Sequence, residues 1–384
     1  MKGSLNSPIS ESNSEDKKAV LVLEDGTLVQ GKGFGAVKKV SGEVVFNTGM
    51  VGYTEAITDV SYNGQILIQT YPLIGNYGVS PEHFESDGPK IEGYIVHEVC
   101  RNPSHWSAKW TLDEFLDSNG VPGIEGVDTR SLTKKIRIHG VMLGLLQVYR
   151  ADQPPDFEQM RSEAEELLDP NEKDLVAEVS THEMLEHKAS GRTCVVLIDC
   201  GVKKNIVRCL LDRKISVLQV PPTLSADKIL EYEPDGVVIS NGPGDPKRIP
   251  HVIETVRDLV HEKMPVLGIC LGNQLLALAL GGDTYKMKFG HRGQNHPCVD
   301  LRTGKCYITS QNHGYAVKPQ SLADTVLEVT FVNANDETVE AVEHRSLPVF
   351  ATQWHPEASP GPNDTNFLFD KFLKSMEVVK NPKN

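Results

Sequence analysis

From residue 192 onward the chain alternates short unbroken apolar runs with amphipathic stretches, and that order admits few folds. Residues 195–198 (VVLI) read as a strand buried on both faces. A helix is expected at 203–212, a strand at 217–220, a helix at 226–232, a strand at 236–240, a helix at 249–262 and a strand at 266–269. Strands alternating with helices predict an α/β domain with a doubly wound, mostly parallel sheet. Sites in such sheets lie beyond the carboxyl ends of the strands, so the residues just after each strand are the ones to inspect.

The rest of the chain has a different texture. Residues 19–150 carry short apolar runs broken by glycine, with AVLVLE at 19–24 ending on Asp25-Gly26, a turn signal. Strands are expected at 43–46, 65–70 and 94–99, and helices at 111–118 and 131–138. Thr111 with Glu114 three residues on forms a capping-box pattern at the first helix. This predicts a strand-rich, mixed α+β N-terminal domain. Residues 151–191, with Pro154-Pro155, a charged helical stretch at 158–168 and a polar run from 181, read as a linker into a C-terminal domain at 192–380. That domain ends in a helix at 365–378. Residues 1–18 are polar, contain no Arg and lack an apolar core, so a disordered tail is expected rather than a secretory signal or mitochondrial presequence.

Composition narrows the function classes. The 384 residues include 39 Lys plus Arg against 52 Asp plus Glu, a net charge of −13, which argues against nucleic-acid binding. Only 6% of residues are aromatic, too few to favour base stacking. No run approaches the roughly 18 apolar residues of a membrane span. The cysteines, at 100, 194, 200, 209, 270, 298 and 306, show no C-x-x-C spacing. Neither a disulfide scaffold nor a structural zinc site is expected, and the chain reads as a reduced, cytoplasmic enzyme.

Four segments carry chemistry. After the strand at 266–269 comes Cys270, flanked by Gly268 and Gly272 on a strand-to-helix turn. A cysteine after a strand is by itself usually a packing residue. Glycines on both sides give the turn of a nucleophile elbow. The following helix would point free N–H groups and its positive end at the sulfur, favouring thiolate and stabilising an oxyanion. Near the C-terminus an apolar run leads to QWHPE, where Pro356 holds the segment extended and puts His355 and Glu357 on one side. A carboxylate there fixes the imidazole's tautomer and leaves the other nitrogen for the sulfur. SNGPGDP at 240–246 predicts a rigid loop at the same sheet edge; no G-x-x-x-x-G-K-[ST] phosphate loop occurs. QNHGY at 311–315 offers amide and backbone groups suited to a polar amino acid. His313 is a rival base, but it has no carboxylate nearby in sequence.

GICLGNQ around Cys270, SNGPGDP and QWHPE resemble class I, triad-type glutamine amidotransferases. GEVVFNTGMVGYTEAITDVSY at 42–62, TYPLIGNYG at 70–78, GVDTRSLTKKIR at 126–137 and TSQNHGYAV at 309–317 resemble the small, glutaminase chain of carbamoyl-phosphate synthetase. The resemblance spans about residues 19–377. It implies that Cys270 attacks the glutamine amide, that His355 oriented by Glu357 transfers protons, and that the N–H groups of Leu271 and Gly244 form an oxyanion hole. It further implies glutamine binding by Ser61, Gly242, Gly244, Leu271, Gln274, Asn312, Gly314 and Tyr315. Ammonia would pass to a large synthetase chain, which uses bicarbonate, ATP and Mg to make carbamoyl phosphate for arginine or pyrimidine synthesis. This chain itself would hold no cofactor and no metal.

One position departs from the pattern: many members have His where this chain has Asn273. Two other readings compete. A stand-alone γ-glutamyl hydrolase would share the triad but has no use for the N-terminal domain. A regulatory partner chain with weak glutaminase has Asn273 as its only support.

Overall fold

The computed structural model describes residues 16–380. The first strand, Lys17–Leu23, starts inside the stretch expected to be a tail; residues 1–15 of that stretch lie outside the described residues. It pairs antiparallel with Leu28–Gly35 across the Asp25-Gly26 turn, where Gly26 has φ 79°. Seven strands close into a barrel, adding Pro122–Glu125, Gly93–Ile95, Gln65–Gln69, Lys39–Asn47 and Met142–Arg150 in that spatial order. Side chains alternate across the barrel wall as a strand period of two demands. Ala19, Leu21 and Leu23 join one core; Val20 and Val22 face another, with Met160 and Ala164.

Those last two residues lie on the helix Phe157–Glu165, so part of the expected linker is built into the barrel domain. Another part, Leu185–His187, adds an antiparallel edge strand to the second sheet. Parts of the stretch 151–191 are therefore built into each domain, while most of its residues stay exposed or half-buried.

The second domain is the expected α/β sheet. Five parallel strands form its centre in the order Ser216–Val220, Cys194–Ile198, Gly236–Ile239, Val266–Ile269, Val349–Thr352. Helices cover both faces. Val195 and Leu197 pack with the helices Lys204–Asp212 and Phe367–Lys380. Val196 and Ile198 pack with Pro250–His261 and Leu271–Ala279.

Beyond Val349–Thr352 the sheet continues antiparallel through Val339–His344, Leu327–Asn333, Thr284–Asp300 and Cys306–Val317. The 17-residue strand Thr284–Asp300 changes register between Lys286 and His291 and again between Gly293 and His296. Such irregularities bend a strand and increase its twist. Here the irregular stretch meets the barrel, where the Thr48 amide donates to the Arg292 carbonyl at 3.3 Å.

A second contact between domains is polar and half-buried. The Asn205 amide donates to Glu85 Oε2 at 3.0 Å, and Lys204 Nζ donates to the Ser86 carbonyl at 2.6 Å. Among the described residues no helix is long and apolar enough to cross a membrane.

Candidate functional site

Cys270 sits between the strand Val266–Ile269 and the helix Leu271–Ala279 with φ 55° and ψ −99°, a conformation costly for a residue with a side chain. Its amide donates to the Thr352 carbonyl at 2.7 Å, which ties the elbow to the neighbouring parallel strand. The flanking glycines are there for space as well as bend. A Cβ on Gly272 would lie 2.4 Å from the Ile239 carbonyl oxygen, so the helix could not approach the sheet. As the first helical residue, Leu271 has an amide with no acceptor inside the helix. Its side chain points into the core, leaving only the backbone for chemistry.

The thiol is 2% exposed and is met from two directions. Sγ lies 3.6 Å from the Asn312 carbonyl oxygen, to which it donates. Gln353 Nε2 donates to Sγ at 3.7 Å, while Gln353 Oε1 accepts from Asn273 Nδ2 at 3.4 Å and Gln274 Nε2 at 3.3 Å. Asn273, the departure noted in the sequence, therefore acts on the thiol's neighbour and not on the thiol itself.

His355 follows the strand Val349–Thr352, and its amide donates to the Ser310 carbonyl at 2.9 Å. Its Nδ1 donates to Glu357 Oε1 at 2.6 Å, as the i, i+2 spacing across Pro356 predicts. Nε2 is buried without a hydrogen-bond partner. Burial works against a charge on this imidazole, yet the Glu357 carboxylate outweighs it; Lys203 opposes protonation, Cys270 favours it, and the pKa rises to about 10.

Behind Glu357 stands a residue that sequence reasoning missed. Lys203 Nζ donates to Glu357 Oε1 and to the Ala358 carbonyl, each at 3.1 Å, and its side chain is 6% exposed. Burial raises the Glu357 pKa, but Lys203 and His355 reverse that and hold the carboxyl well below its usual range. Lys203 lies just beyond the strand Cys194–Ile198, so the rule of inspecting strand ends would have found it.

On the other side of Cys270 opens a cavity of about 480 Å³, its mouth included. Of the residues expected to bind substrate, Ser61, Gly242, Gly244, Gln274, Asn312, Gly314 and Tyr315 line it with Cys270; Leu271 does not. Gly242 must be glycine, because a Cβ would meet the Cys200 carbonyl oxygen at 2.1 Å. Ser61 arrives from the barrel domain on the short turn Val60–Tyr62, held by Asp59, whose Oδ1 accepts from the Ser61 amide at 2.9 Å. Asp59 Oδ2 also accepts from Asn312 Nδ2 at 2.9 Å, and Ser61 Oγ accepts from Asn241 Nδ2 at 3.0 Å. These bonds make the cavity a joint product of the two domains.

The cavity walls also carry charge of both signs. Glu43 from the barrel pairs with Lys286 at 2.7 Å, and the buried Arg292 donates to the Phe289 carbonyl at 2.6 Å. His313 lines the cavity too, with Nδ1 2.8 Å from the Tyr315 carbonyl and Nε2 3.1 Å from Gln311 Oε1. Neither of its ring nitrogens bonds a carboxylate. Burial first, then the nearby His291, push its pKa well below the usual value.

Comparison with known proteins gives two family matches. Residues 21–146 match the carbamoyl-phosphate synthase small chain, CPSase domain. Residues 196–375 match glutamine amidotransferase class-I. Among curated proteins, the carbamoyl phosphate synthase small chains of Methanopyrus kandleri and Methanocaldococcus jannaschii are each 53% identical, covering 93% of this chain and 98% of theirs. That of Archaeoglobus fulgidus is 51% identical, covering 94% of this chain and 100% of its own.

Proposed function

The chain belongs to the carbamoyl phosphate synthase small-chain family, and from that premise we propose that Cys270, His355 and Glu357 are the triad of its glutaminase. It is the glutamine amidotransferase subunit of the synthase. The observation carrying the assignment of roles is the unpartnered, buried Nε2 of His355, whose other nitrogen is fixed by Glu357 at 2.6 Å, on an imidazole that Cys270 helps to protonate.

The steps follow from that arrangement. Cys270 Sγ, as thiolate, attacks the side-chain carbonyl carbon of glutamine. The amides of Leu271 and Gly244 receive the developing oxyanion. His355 Nε2 gives its proton to the departing nitrogen, which leaves as ammonia, and a γ-glutamyl thioester remains. Water then attacks the thioester; His355 takes the water's proton, and glutamate leaves as the thiolate re-forms. Glu357 holds the imidazole's tautomer throughout, and Lys203 keeps Glu357 ionised. The charges of Glu43, Lys286 and Arg292 suit a zwitterionic amino acid, while Ser61, Gly242, Gly244, Gln274, Asn312, Gly314 and Tyr315 enclose its side chain.

The partner is the synthetase large chain, to which the ammonia passes. That chain would hold the ATP and Mg and form carbamoyl phosphate from bicarbonate, for arginine or pyrimidine synthesis. The seven free cysteines suit a reducing compartment, the cytoplasm.

An electrophilic glutamine analogue, followed by peptide mass mapping, tests the assignment. A single adduct on Cys270 is expected. Labelling elsewhere, or none, would sink it.

A further inference from the structure

The antiparallel extension buries a second constellation that the glutaminase chemistry does not use. His291 comes from the strand Thr284–Asp300, His313 from Cys306–Val317 and Glu340 from Val339–His344. All three are buried, Glu340 completely, and each offers one atom such that the three lie within 4.8 Å of one another.

The outer nitrogens of both imidazoles are anchored in the manner of metal ligands. His291 Nε2 faces Asp336 Oδ2 at 2.8 Å, and His313 Nδ1 faces the Tyr315 carbonyl at 2.8 Å. A carboxylate or carbonyl on one nitrogen fixes the tautomer and turns the other, with its lone pair, inward. For His313 the inward nitrogen is Nε2, whose neighbour at 3.1 Å is Gln311 Oε1, itself an acceptor. Glu340 Oε2 is buried with no hydrogen-bond partner. One amide donor reaches the cluster: Asn333 Nδ2 donates to Glu340 Oε1 at 3.1 Å and lies 3.5 Å from His291 Nδ1. It leaves Glu340 Oε2 and the His313 Nε2 contact without a donor.

We propose that His291, His313 and Glu340 form a binding site for a divalent transition-metal ion of the zinc class. Two imidazoles and one carboxylate are a ligand set that such an ion accepts, and closing on it would draw the atoms together by about 1 Å. A proton is the competing cation. Burial opposes a charge on His291, but Asp336 and Glu340 outweigh it and raise its pKa to about 9. A proton there supplies a donor towards Asp336 and towards Glu340 Oε1, 3.5 Å from Nδ1. It leaves Glu340 Oε2 and the His313 Nε2 contact unsatisfied, and a metal ion meets both. From the sequence no metal and no structural zinc site are expected, but that expectation rests on cysteine spacing, which does not bear on a histidine and carboxylate ligand set. The ion would pin His313, between Asn312 and Gly314, from behind the cavity; its binding stands or falls independently of what the cavity holds.

The test uses the full chain in a background where Cys270 and the exposed Cys306 are Ser, to remove thiol binding. The protein is stripped with chelator, equilibrated with Zn(II) or Co(II) and desalted. About one ion per chain is expected by elemental analysis, with Co(II) d–d absorption. Glu340→Gln and His291→Asn should each weaken binding at least about 100-fold. Retention of metal by both variants, or no retention by the parent, overturns the proposal. Should a variant fail to fold, the parent's ¹⁵N imidazole resonances decide: a metal-bound His291 supports the site, and a doubly protonated His291 in the presence of Zn(II) overturns it.

Discussion

On one side of Cys270 lies the cavity, to which the barrel domain gives Glu43, Ser61, Gln65 and Val141, the connecting stretch Asn171, and the sheet domain the rest. On the other lies the row His355, Glu357, Lys203, to which the sheet domain alone contributes side chains. The cavity is open and polar, held by bonds such as Asn241 to Ser61 and Asn312 to the Asp59 carboxylate, with the Glu43–Lys286 pair in its wall. The row is closed and charged, with Glu357 completely buried and Lys203 nearly so. Chemistry therefore sits inside one domain, and recognition arises where two domains meet. Substitutions on the two sides should fail differently: turnover and stability on the charged side, affinity on the cavity side.

The largest effect is expected at the boundary itself. Cys270→Ser should lower glutamine hydrolysis by roughly 10⁴-fold or more. In complex with the large chain it should leave ammonia-dependent carbamoyl phosphate synthesis intact. Loss of both activities would mean that the cysteine is structural and the two sides are not separable.

Next comes the charged row. Lys203→Met leaves the buried Glu357 charge with His355 as its one remaining cation, and Glu357→Gln takes from Lys203 the carboxylate it bonds. Each single variant should lose roughly 3–5 kcal/mol of stability, because a broken buried pair leaves an uncompensated charge. The double variant should be more stable than either single one, as measured by denaturant unfolding in a double-mutant cycle. Additive losses would show that the pair is not coupled. The row also sets a pH window. His355, raised from 6.5 to about 10, contributes stability fully present below pH 6.5 and lost as pH rises through 10. Glu357, held low, contributes stability present above its ordinary range and lost as pH falls through its depressed value. The double variant should flatten both limbs of a plot of melting temperature against pH.

Much of this contrast could be read before any coordinates. Four of the five parallel strands were expected from short apolar runs, interrupted only by Gln219 in Ser216–Val220, and the elbow at Cys270 because Gly268 and Gly272 bracket it. His355 and Glu357 were legible because Pro356 fixes their local geometry. The antiparallel extension was not: Thr284–Asp300 is largely polar, and its register shifts break any alternation. Nor was the order of barrel strands, since Leu28–Gly35 pairs with Pro122–Glu125 far along the chain. Asp59 escaped for the same reason. Asp59 meets Asn312 across 253 residues, a separation at which spacing says nothing.

The cavity side predicts a smaller, differently shaped effect. Ser61→Ala removes an acceptor of the Asn241 amide at 3.0 Å and a wall of the cavity, without touching the charged row. Glutamine KM should rise about tenfold, the worth of one to two hydrogen bonds, with kcat little changed. A fall in kcat with constant KM would place Ser61 in the chemistry and blur the comparison.

The smallest effect probes Gln353, which follows the strand Val349–Thr352 and meets Cys270 Sγ. Its Oε1 accepts from Asn273 Nδ2 and Gln274 Nε2, so the amide can present only its N–H group to Cys270 Sγ, 3.7 Å away. A donor held there favours thiolate over thiol. Gln353→Leu, similar in volume, removes it. Alkylation of Cys270 by iodoacetamide at fixed pH should then slow by about tenfold, equivalent to one modest hydrogen bond to the sulfur. Asn273→Ala should slow it by less, because Asn273 acts on the sulfur only by orienting Gln353, while Gln274 still holds the amide. An unchanged rate in Gln353→Leu would assign the amide to packing alone, and Asn273 would then have no route to the thiol.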